Sequence, residues 1–415
     1  MKQQLARAYK TELAPDEVQE PMLYRNAGTA RFVYNWGLRW KMNVMEYNRL
    51  PHPRVRLPSA FDIHRELNAL KKSTFPWMYE CSKCAPQEAL RNLDAAFRNF
   101  FRGRAEFPKF KSRKRGTGSF TLTGTIKVRP GEIRLPRLGW VRLKERGYLP
   151  SRAHINSATI SERAGRWFVS INVVEHLQDT APVEGPVVGV DRGITSLIVI
   201  SDGTTMENPR ALARYERKLR HVQRAVSRKT KGSANRRKTI DALRRLHYRI
   251  SSARRDVINK VTTMLAKTKS VIVVEDLRVR NMMANHSLAK SIQDAAMAEV
   301  VRQLEYKTVW YGSRLAVADE WYPSTKRCSG CGHVKEGSMP LGERVYRCHV
   351  CGLIIDRDLN AAHNLKQWPG VARTLETPVE GGVQPAVNPL VQPPCESGTT
   401  SPEREAQEHG QYKHP

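Results

Sequence analysis

The sequence predicts an α/β domain in its second half, preceded by a small antiparallel β-barrel that helices interrupt. Two patterns carry this prediction. Between residues 116 and 181, short runs such as SFTLTG, EIRLP and WFVSINVVE alternate apolar with polar residues, which is typical of the antiparallel strands of a barrel or a sandwich. After residue 182, apolar β-branched runs alternate with long helical patterns, which is typical of a sheet covered by helices.

The N-terminal part is predicted to be mostly helical. LARAYKTEL near the start favours a strand, whereas Phe32, Trp36 and Trp40 recur every four positions and mark one helix face. An aromatic stripe at that spacing more often packs in a core than stacks on bases. A second helical stretch, APQEALRNLDAAFRNFFRGR, runs into a basic loop. We therefore assign 1–20 to the first part of the barrel, 21–115 to a helical domain and 116–181 to the rest of the barrel.

The α/β domain is predicted to span residues 182–367. VVGVDRGITSLIVISDG favours two strands joined by a turn, and KSVIVVEDL favours a buried central strand. The segment from Ala211 to about Lys269 has a helical period that breaks near Gly232. LAKSIQDAAMAEVVRQLEYKTVWYG predicts one helix that ends at Gly312, and RLAVADEWYP predicts a further strand.

The C-terminal tail, residues 368–415, has a different composition. Seven of the chain's 24 prolines and a single aromatic residue fall in its last 45 residues, with six acidic residues against three basic ones. A segment so poor in large apolar residues cannot bury enough surface to offset the entropy of ordering. We therefore expect the tail to be disordered.

The charge of the chain indicates a polyanionic partner. The 415 residues carry 70 Lys and Arg against 40 Asp and Glu, a net charge of +30. Residues 210–260 hold 18 basic and 3 acidic side chains, and residues 101–146 hold 14 and 3. Such clusters are typical of nucleic-acid binding, because each phosphate contact releases a counterion. A generally basic, solvated surface or binding to a membrane surface is the alternative.

Membrane insertion and secretion are not expected. No apolar stretch approaches the ~20 residues that span a bilayer, and the basic start MKQQLARAYKTELAPDE lacks an apolar signal segment. Seven cysteines, an odd number, do not form a disulfide framework. A cytoplasmic protein is therefore predicted.

Four of the cysteines have the spacing of a metal site. Cys328-Ser-Gly-Cys331 is followed after 16 residues by Cys348-His-Val-Cys351, and a glycine follows each pair. Two such pairs present four thiolates to one ion, which predicts a structural Zn²⁺ in a zinc ribbon at 325–354. Because four cysteines fill the coordination sphere, this zinc is not expected to be catalytic. Cys81-Ser-Lys-Cys84 has no second pair nearby and is predicted to bind no metal.

Three acidic residues stand where nucleases place metal ligands. Asp191 and Glu275 each end an apolar run, and Asp358 lies where a helix begins. Each alone is more often a cap or turn residue. Together, in so basic a chain, a carboxylate on a first strand, one on a later central strand and one at a final helix match an RNase H-like fold that holds two Mg²⁺ ions. We assign Asp356 to the N-cap and Asp276 to a turn.

The ordered motifs VGVDRG, VVEDL, YPSTKRCSGCG and YRCHVCGLIIDRDLNAAHNL resemble those of the TnpB proteins of insertion sequences. The resemblance covers roughly residues 5–367 and includes ARFVYNWGLR and AFRNFFRGRAEFPKFKSR. It implies a RuvC-like nuclease domain with the zinc ribbon inserted before its last carboxylate, and a wedge β-barrel domain interrupted by a helical recognition domain. The family's catalytic carboxylates fall on Asp191, Glu275 and Asp358.

The resemblance also implies a function. We expect an RNA-guided, Mg²⁺-dependent endonuclease of a mobile element that cuts double-stranded DNA matching its guide RNA beside a short flanking motif. In a bacterial cell it would associate with the nucleoid when bound to DNA. The basic segments would hold the RNA–DNA heteroduplex by its backbone. The candidate phosphate contacts are Arg236, Arg237, Lys238, Arg244 and Arg245, each of which could also belong to a solvated helix face.

Two competing hypotheses remain open at this point. The first is a transposase or recombinase that uses the same carboxylates without RNA. The second is a regulator that binds nucleic acid without cleaving it, its acidic residues serving only as caps. The presence of all three carboxylates weighs against the second hypothesis.

Overall fold

The computed structural model describes residues 4–150, 154–176, 181–337, 339–340 and 342–376. Most of the chain before residue 181 is organised around one antiparallel sheet of seven strands, and most of the rest around a mixed sheet of five. The first sheet comprises β1 (Gln4–Ala14), β2 (Ser119–Leu122), β3 (Lys127–Arg129), β4 (Glu132–Leu135), β5 (Gly139–Leu143), β6 (His154–Arg163) and β7 (Arg166–His176).

The long strand β1 lies in the middle of the first sheet, whose order is β2-β6-β7-β1-β5-β4-β3. It pairs with β7 along most of its length and with β5 at its end. In the described residues β2 and β3 remain the two edges of this sheet, so closure into a barrel stays a prediction. The domain boundaries predicted from the sequence stay predictions as well.

Three helices are inserted between β1 and β2. They are α1 (Gln19–Tyr47), α2 (Ala60–Lys71) and α3 (Cys84–Phe101), with short 3₁₀ helices at Pro76–Glu80 and Arg113–Arg115. Leu23 of α1 and Leu93 of α3 share one hydrophobic core with Val169 of the sheet. The aromatic stripe of α1 is half-buried: Trp36 makes edge-on contacts with Trp40 at 5.8 Å and Phe75 at 6.4 Å. These rings pack against one another rather than facing open solvent.

The second sheet has the order β10-β9-β8-β11-β12. Its strands are β8 (Val188–Arg192), β9 (Ser196–Ile200), β10 (Thr205–Glu207), β11 (Val271–Glu275) and β12 (Arg314–Ala318). The three strands β8, β11 and β12 run parallel, whereas β9 and β10 continue the sheet in antiparallel fashion. All four apolar residues of β11 are buried, which confirms the predicted central strand.

Helices cover both faces of this sheet. The remaining elements are α4 (Ala211–Arg228), α5 (Ala234–Thr268), α6 (Val279–Met282), α7 (His286–Ala295), α8 (Met297–Tyr311), β13 (Val345–Arg347), β14 (Ile354–Asp356), α9 (Arg357–Lys366) and α10 (Gly370–Glu376). Because side chains alternate along a strand, Ile272 and Val274 pack toward α5 and α8, whereas Val271 and Val273 pack with Leu365 of α9. The predicted break in the basic helical segment falls between α4 and α5.

Two predictions from the sequence are wrong in detail. The single helix that was expected to end at Gly312 is two helices, because Ala296 adopts a left-handed conformation with φ +50°. Asp294, just before this break, accepts hydrogen bonds from the backbone N–H of Leu212, which ties α7 to the start of α4. No glycine or proline marks this position in the sequence.

The predicted tail also begins too early. Residues 370–376 form α10, and Trp368 and Val371 pack against Val271, Val273 and Ala316 of the second sheet. These contacts hold Trp368 and Val371 against β11 and β12, and so the chain stays ordered beyond residue 367. The rest of the predicted tail, residues 377–415, lies outside the described residues.

Candidate active site

Two of the candidate carboxylates end neighbouring parallel strands. Val190 of β8 lies opposite Val274 of β11, so Asp191 and Glu275 follow at the same level of the sheet. Because the carboxyl ends of parallel strands meet at one edge, the two side chains come to the same side of the domain. The structure therefore brings Asp191 and Glu275 together as the sequence predicts.

The third carboxylate reaches this edge from α9. Asp356 is the N-cap of the helix: its Oδ1 accepts hydrogen bonds from the backbone N–H of Asp358 at 3.0 Å and of Leu359 at 2.9 Å. Asp358 then lies in the first turn. Gly189 lets α9 lie directly on β8, since a Cβ at this position would overlap the helix backbone and lie 2.8 Å from the Cβ of Leu365.

The three carboxylates interact electrostatically. Burial raises the pKa of Asp191 well above its usual value, and the charges of Glu275 and then Asp358 raise it further, whereas Arg192 and Arg357 oppose the shift. Such mutual repulsion favours a cation, because a positive ion between the carboxylates stabilises their charged forms. The donor set consists of carboxylate oxygens, which are the ligands that Mg²⁺ prefers. The residues therefore fit a magnesium site.

Polar partners hold each of the other two carboxylates. The Oγ of Ser324 contacts Oε1 of Glu275 through a hydrogen bond. Oδ1 of Asp358 accepts from Nε and Nη2 of Arg357, both at 3.2 Å, and its Oδ2 lies 3.5 Å from Nη1 of Arg344. Arg344 also donates to Oγ1 of Thr195 at 2.9 Å, so it links the ribbon to the turn that follows β8.

Arg192 makes hydrogen bonds that hold this edge of the sheet together. It is buried, and it donates to the backbone carbonyls of Glu275 and, at 3.2 Å, of Met297. It thereby joins β8, the end of β11 and the start of α8. Reasoning from the sequence missed Arg192, Ser324 and Arg344, because their roles depend on contacts between segments far apart in the chain.

The four predicted zinc ligands come together. The Sγ atoms of Cys328, Cys331, Cys348 and Cys351 lie within 4.8 Å of one another, with Cys328 to Cys351 and Cys331 to Cys348 both at 3.6 Å. Ligands ~2.3 Å from a tetrahedral Zn²⁺ would stand ~3.8 Å apart, so the cluster has the right size for this ion. Hydrogen bonding, first from the backbone N–H of Cys351, lowers the pKa of the Cys348 thiol to about 6. At Cys351 the backbone N–H of Leu353 lowers the pKa, but hydrogen bonds with Cys331 and the other thiols outweigh it and raise that pKa to about 12.

Tight turns position these thiols. Gly332 and Gly352 follow the two pairs with φ of +79° and +75°, a conformation that glycine adopts without strain. The N–H of Gly332 donates to the carbonyl of Cys328 at 2.9 Å, and that of Gly352 to the carbonyl of Cys348 at 3.0 Å. The ribbon also contains β13 and β14, which pair with each other.

The remaining cysteine pair makes separate hydrogen bonds. Cys81 Sγ accepts from Oγ1 of Thr29 at 3.2 Å, and Cys84 Sγ donates to the carbonyl of Thr123 at 3.3 Å. Both thiols are buried between α1, α3 and the start of the sheet. These contacts fit a structural role.

The candidate phosphate contacts cluster at the start of α5. Arg237, Lys238, Arg244 and Arg245 are exposed, and Arg236 is half-buried. Arg244 lies 3.4 Å from Asp241. The helix packs against α4, which adds further basic side chains, among them Arg217, Arg220 and Arg224. Together these helices present a strongly basic surface.

A search of the described residues finds no helix long and apolar enough to cross a membrane.

Three family models match the chain. A model described as a probable transposase matches residues 170–286, one described as a Cas12f1-like TNB domain matches residues 298–365, and one described as a helix-turn-helix domain matches residues 1–48. The second match contains the four cysteines and Asp358. Within the third, the described residues form the strand β1 followed by the single long helix α1.

Curated relatives match along most of their length. A Streptomyces pristinaespiralis protein named "Putative RNA-guided DNA endonuclease" is 39% identical over 88% of this chain and 90% of its own. An Escherichia coli K12 protein, "Putative RNA-guided DNA endonuclease InsQ", is 32% identical over 86% and 91%. A solved Cas12f1–sgRNA–target DNA complex aligns over 88% of this chain and 99% of its own with 12% identity and a TM-score of 0.49, too low to support an inference. The sequence relatives and the shared motifs decide the matter: the chain belongs to the TnpB family.

Proposed function

We propose that this protein is an RNA-guided, metal-dependent DNA endonuclease of a mobile element. It cuts double-stranded DNA that matches its guide RNA beside a short flanking motif. The observation that carries the proposal is the convergence of Asp191, Glu275 and Asp358 at one edge of the second sheet, where burial and then the charges of Glu275 and Asp358 raise the pKa of Asp191. The net charge of +30 and the names of the relatives support nucleic-acid partners.

The second sheet fits an RNase H-like domain of RuvC type. One carboxylate lies on its first strand, one on the adjacent parallel strand and one on the helix that packs across the first strand. The zinc ribbon is inserted between β12 and α9, ahead of the last carboxylate. The first sheet with its inserted helices fits a wedge β-barrel domain interrupted by a recognition domain.

Asp191, Glu275 and Asp358 would hold the catalytic Mg²⁺, of which we expect two ions. When bound, Mg²⁺ supplies an activated water and neutralises the charge that develops on the phosphate. A bound cation would lower the raised pKa of Asp191 and favour its carboxylate form. Ser324 orients the carboxylate of Glu275, and Arg357 and Arg344 hold that of Asp358. No side chain is needed as a covalent nucleophile.

The zinc of the ribbon would be structural. The four cysteines leave no open coordination position, so this Zn²⁺ does not contact substrate. The four cysteines would hold this ion, and the ribbon so folded would keep the segment that carries Arg344 beside Asp358.

The basic surface of α4 and α5 would hold nucleic acid. Backbone contacts suit a protein whose target is chosen by base pairing, since such a protein recognises the heteroduplex by charge and shape. Arg236, Arg237, Lys238, Arg244 and Arg245 are proposed to contact phosphates.

The test begins with the particle that forms when the protein is expressed together with the DNA downstream of its gene. Bound RNA is extracted and sequenced. The particle is then incubated with Mg²⁺ and plasmids that carry a matching target beside randomised flanks. We expect a discrete RNA and cleavage that Asp191→Ala abolishes. Bound RNA with target binding but no cleavage would favour a guided repressor, and cutting or joining of DNA without RNA would favour a recombinase.

Paired substitutions test the assignment at α9. Asp358→Asn removes a proposed ligand and should abolish cleavage. Asp356→Asn replaces one good N-cap residue by another, so cleavage should persist. Loss of cleavage in Asp356→Asn with normal cleavage in Asp358→Asn would reverse the assignment.

A further inference from the structure

The loop after β12 exposes a tryptophan beside the carboxylates. Trp321 is 86% exposed, more than any other large hydrophobic side chain among the described residues. Single exposed apolar residues are common on protein surfaces, but tryptophan is on average highly buried. An indole left this far in solvent, next to an active-site edge, therefore requires an explanation.

The loop itself is held in place on both sides of Trp321. Glu320 pairs with Arg278 at 2.6 Å, and the hydroxyl of Tyr322 donates to the carbonyl of Asn364 at 2.9 Å. Asp319 accepts a hydrogen bond from Nε1 of Trp368 at 3.2 Å. The residues next to Trp321 are thus fixed to three other segments, and the indole is presented by an ordered loop.

These same contacts place Trp321 close to the metal-binding edge. Arg278 lies three residues after Glu275, and Ser324 hydrogen-bonds the carboxylate of Glu275 itself. Three residues of chain span roughly 11 Å at most, so the Cα atoms of Trp321 and Ser324 are no farther apart than this. Successive phosphates of a strand are ~3.4 Å apart along a duplex axis. The indole is therefore within a few nucleotides of a phosphate held at the carboxylates.

The surroundings of Trp321 favour a base over a protein partner. Its neighbours Arg278 and Glu320 are charged, and Lys326 and Arg327 follow in the same loop. A docking site for a protein would show a continuous apolar patch. An isolated aromatic face in a polar, partly cationic setting is instead the way in which proteins stack unpaired bases.

We propose that Trp321 stacks on an unpaired base of the DNA strand that is held at Asp191, Glu275 and Asp358, and so fixes the position of the scissile phosphate. This inference rests on the proposed function. Trp321 supplies no proton and binds no metal in this account. It contacts the substrate and positions the strand.

The experiment compares Trp321→Ala with Trp321→Phe, which keeps an aromatic face. The matched control is Val317→Thr, which removes an exposed apolar side chain from β12, the strand that precedes this loop. Equal thermal midpoints confirm that the exposed substitutions leave the fold intact. Stacking is worth ~1–3 kcal/mol per base, so Trp321→Ala should lower kcat/KM for a matched target by about 5- to 160-fold. Trp321→Phe and Val317→Thr should stay within about threefold of the parent.

A binding measurement separates this proposal from the proposed function. In the uncleaving Asp191→Asn background, 2-aminopurine is placed at successive positions of single-stranded DNA. We expect quenching at one or two adjacent positions that persists in Trp321→Phe and is lost in Trp321→Ala. Identical fluorescence and cleavage with and without Trp321 would overturn the inference. A parent protein that binds RNA but does not cut would refute the proposed function, and the fluorescence would still decide the role of Trp321.

Discussion

At the scale of single residues, the site combines function with a cost in stability. Asp191 is half-buried beside two other carboxylates, and its pKa is raised first by desolvation and then by Glu275 and Asp358. Without a bound metal, the folded protein would be more stable with a neutral residue in place of Asp191. The proposed role in Mg²⁺ binding would account for a carboxylate here, because charged oxygen ligands attract this cation most strongly.

Asp191→Asn should therefore stabilise the metal-free protein while abolishing cleavage. Between its ordinary pKa of 3.8 and the raised value, folded Asp191 holds a proton that the unfolded chain releases, so the free energy of unfolding falls as pH rises. The substitution removes this fall. In buffer without added Mg²⁺, the thermal midpoint of the parent should drop more than that of the variant between about pH 5 and pH 8.

Asp276→Asn is the matched control, because Asp276 is exposed and lies outside the proposed ligand set. Its thermal midpoint should follow the parent at each pH. Parallel pH curves for Asp191→Asn and the parent would contradict the account of a raised pKa.

The sequence was informative about these residues to different degrees. Asp191 and Glu275 follow buried apolar runs, and strand direction alone placed them at one edge. The choice of Asp358 over Asp356 depended on N-cap geometry. The hydrogen bonds to Asp356 confirm its predicted N-cap position, and the ligand role of Asp358 stays a prediction. Arg344 could not be found, because its contact with Asp358 exists only once the ribbon has folded against α9.

At the scale of elements, α9 joins the ribbon to the sheet. Asn360 is fully buried, and its Oδ1 accepts from the N–H of Ser329 at 2.9 Å while its Nδ2 donates to the carbonyl of Arg327 at 2.7 Å. Asn364 adds bonds to the carbonyls of Ser324 and Arg327. These amides tie the first cysteine loop to the helix that carries Asp358.

Asn360→Ala should weaken this attachment. It removes the hydrogen bond to the part-buried N–H of Ser329, which costs about 0.5–1.5 kcal/mol. We expect a lower thermal midpoint and faster transfer of zinc to a colorimetric chelator. Asn235→Ala, at an exposed position of α5, serves as the control. Zinc release at the parental rate would show that Asn360 does not hold the ribbon.

Zinc removal should unfold the ribbon without unfolding the sheet. The buried core of the ribbon consists of Cys328, Tyr346 and Cys348, too few apolar residues to fold without a metal. We expect elemental analysis to find one zinc in the parent and none in Cys348→Ser, which should also abolish cleavage and speed hydrogen exchange in residues 325–354. Exchange in β8 and β11 should be unchanged, and Cys81→Ser should retain one zinc. Retained protection of the ribbon without zinc would contradict this role.

Element prediction failed where the backbone carried no local signal. The break at Ala296 lies inside a periodic helical pattern without glycine or proline. It is set by contacts of Asp294 with Leu212 and, at 2.9 Å, with Arg254 on two other helices. Apolar runs such as β11, in contrast, are predicted correctly because their β-branched, fully apolar composition favours a buried strand.

At the scale of the whole molecule, the carboxylates and the basic surface belong to different sets of elements. The second sheet gathers the carboxylates, and the basic helices α4 and α5 lie beside it in sequence and supply the cationic surface. The sequence predicted the order of these elements. It could not predict how the strands of the first sheet pair, since seven strands allow many orders.

The basic surface should make nucleic-acid binding depend steeply on salt. With ~10 phosphates neutralised, the slope of log affinity against log salt should be near −9, and each lost contact should reduce it by ~0.9. The double substitution Arg237→Ala with Lys238→Ala should therefore move the slope by about 1.8. Lys260→Ala, whose side chain pairs with Asp256 at 2.7 Å, should change it little. An unchanged slope in the double variant would exclude these two residues as phosphate contacts.

The central claim is that base pairing with a bound RNA directs cleavage at the three carboxylates. The most direct test replaces the guide segment of the RNA by an unrelated sequence and maps the cuts on a plasmid that carries both targets beside the same flanking motif. The account predicts that the cuts move to the new target, require Mg²⁺ and disappear in Asp191→Asn. Cuts that stay at the original target, or that appear without RNA, would contradict it.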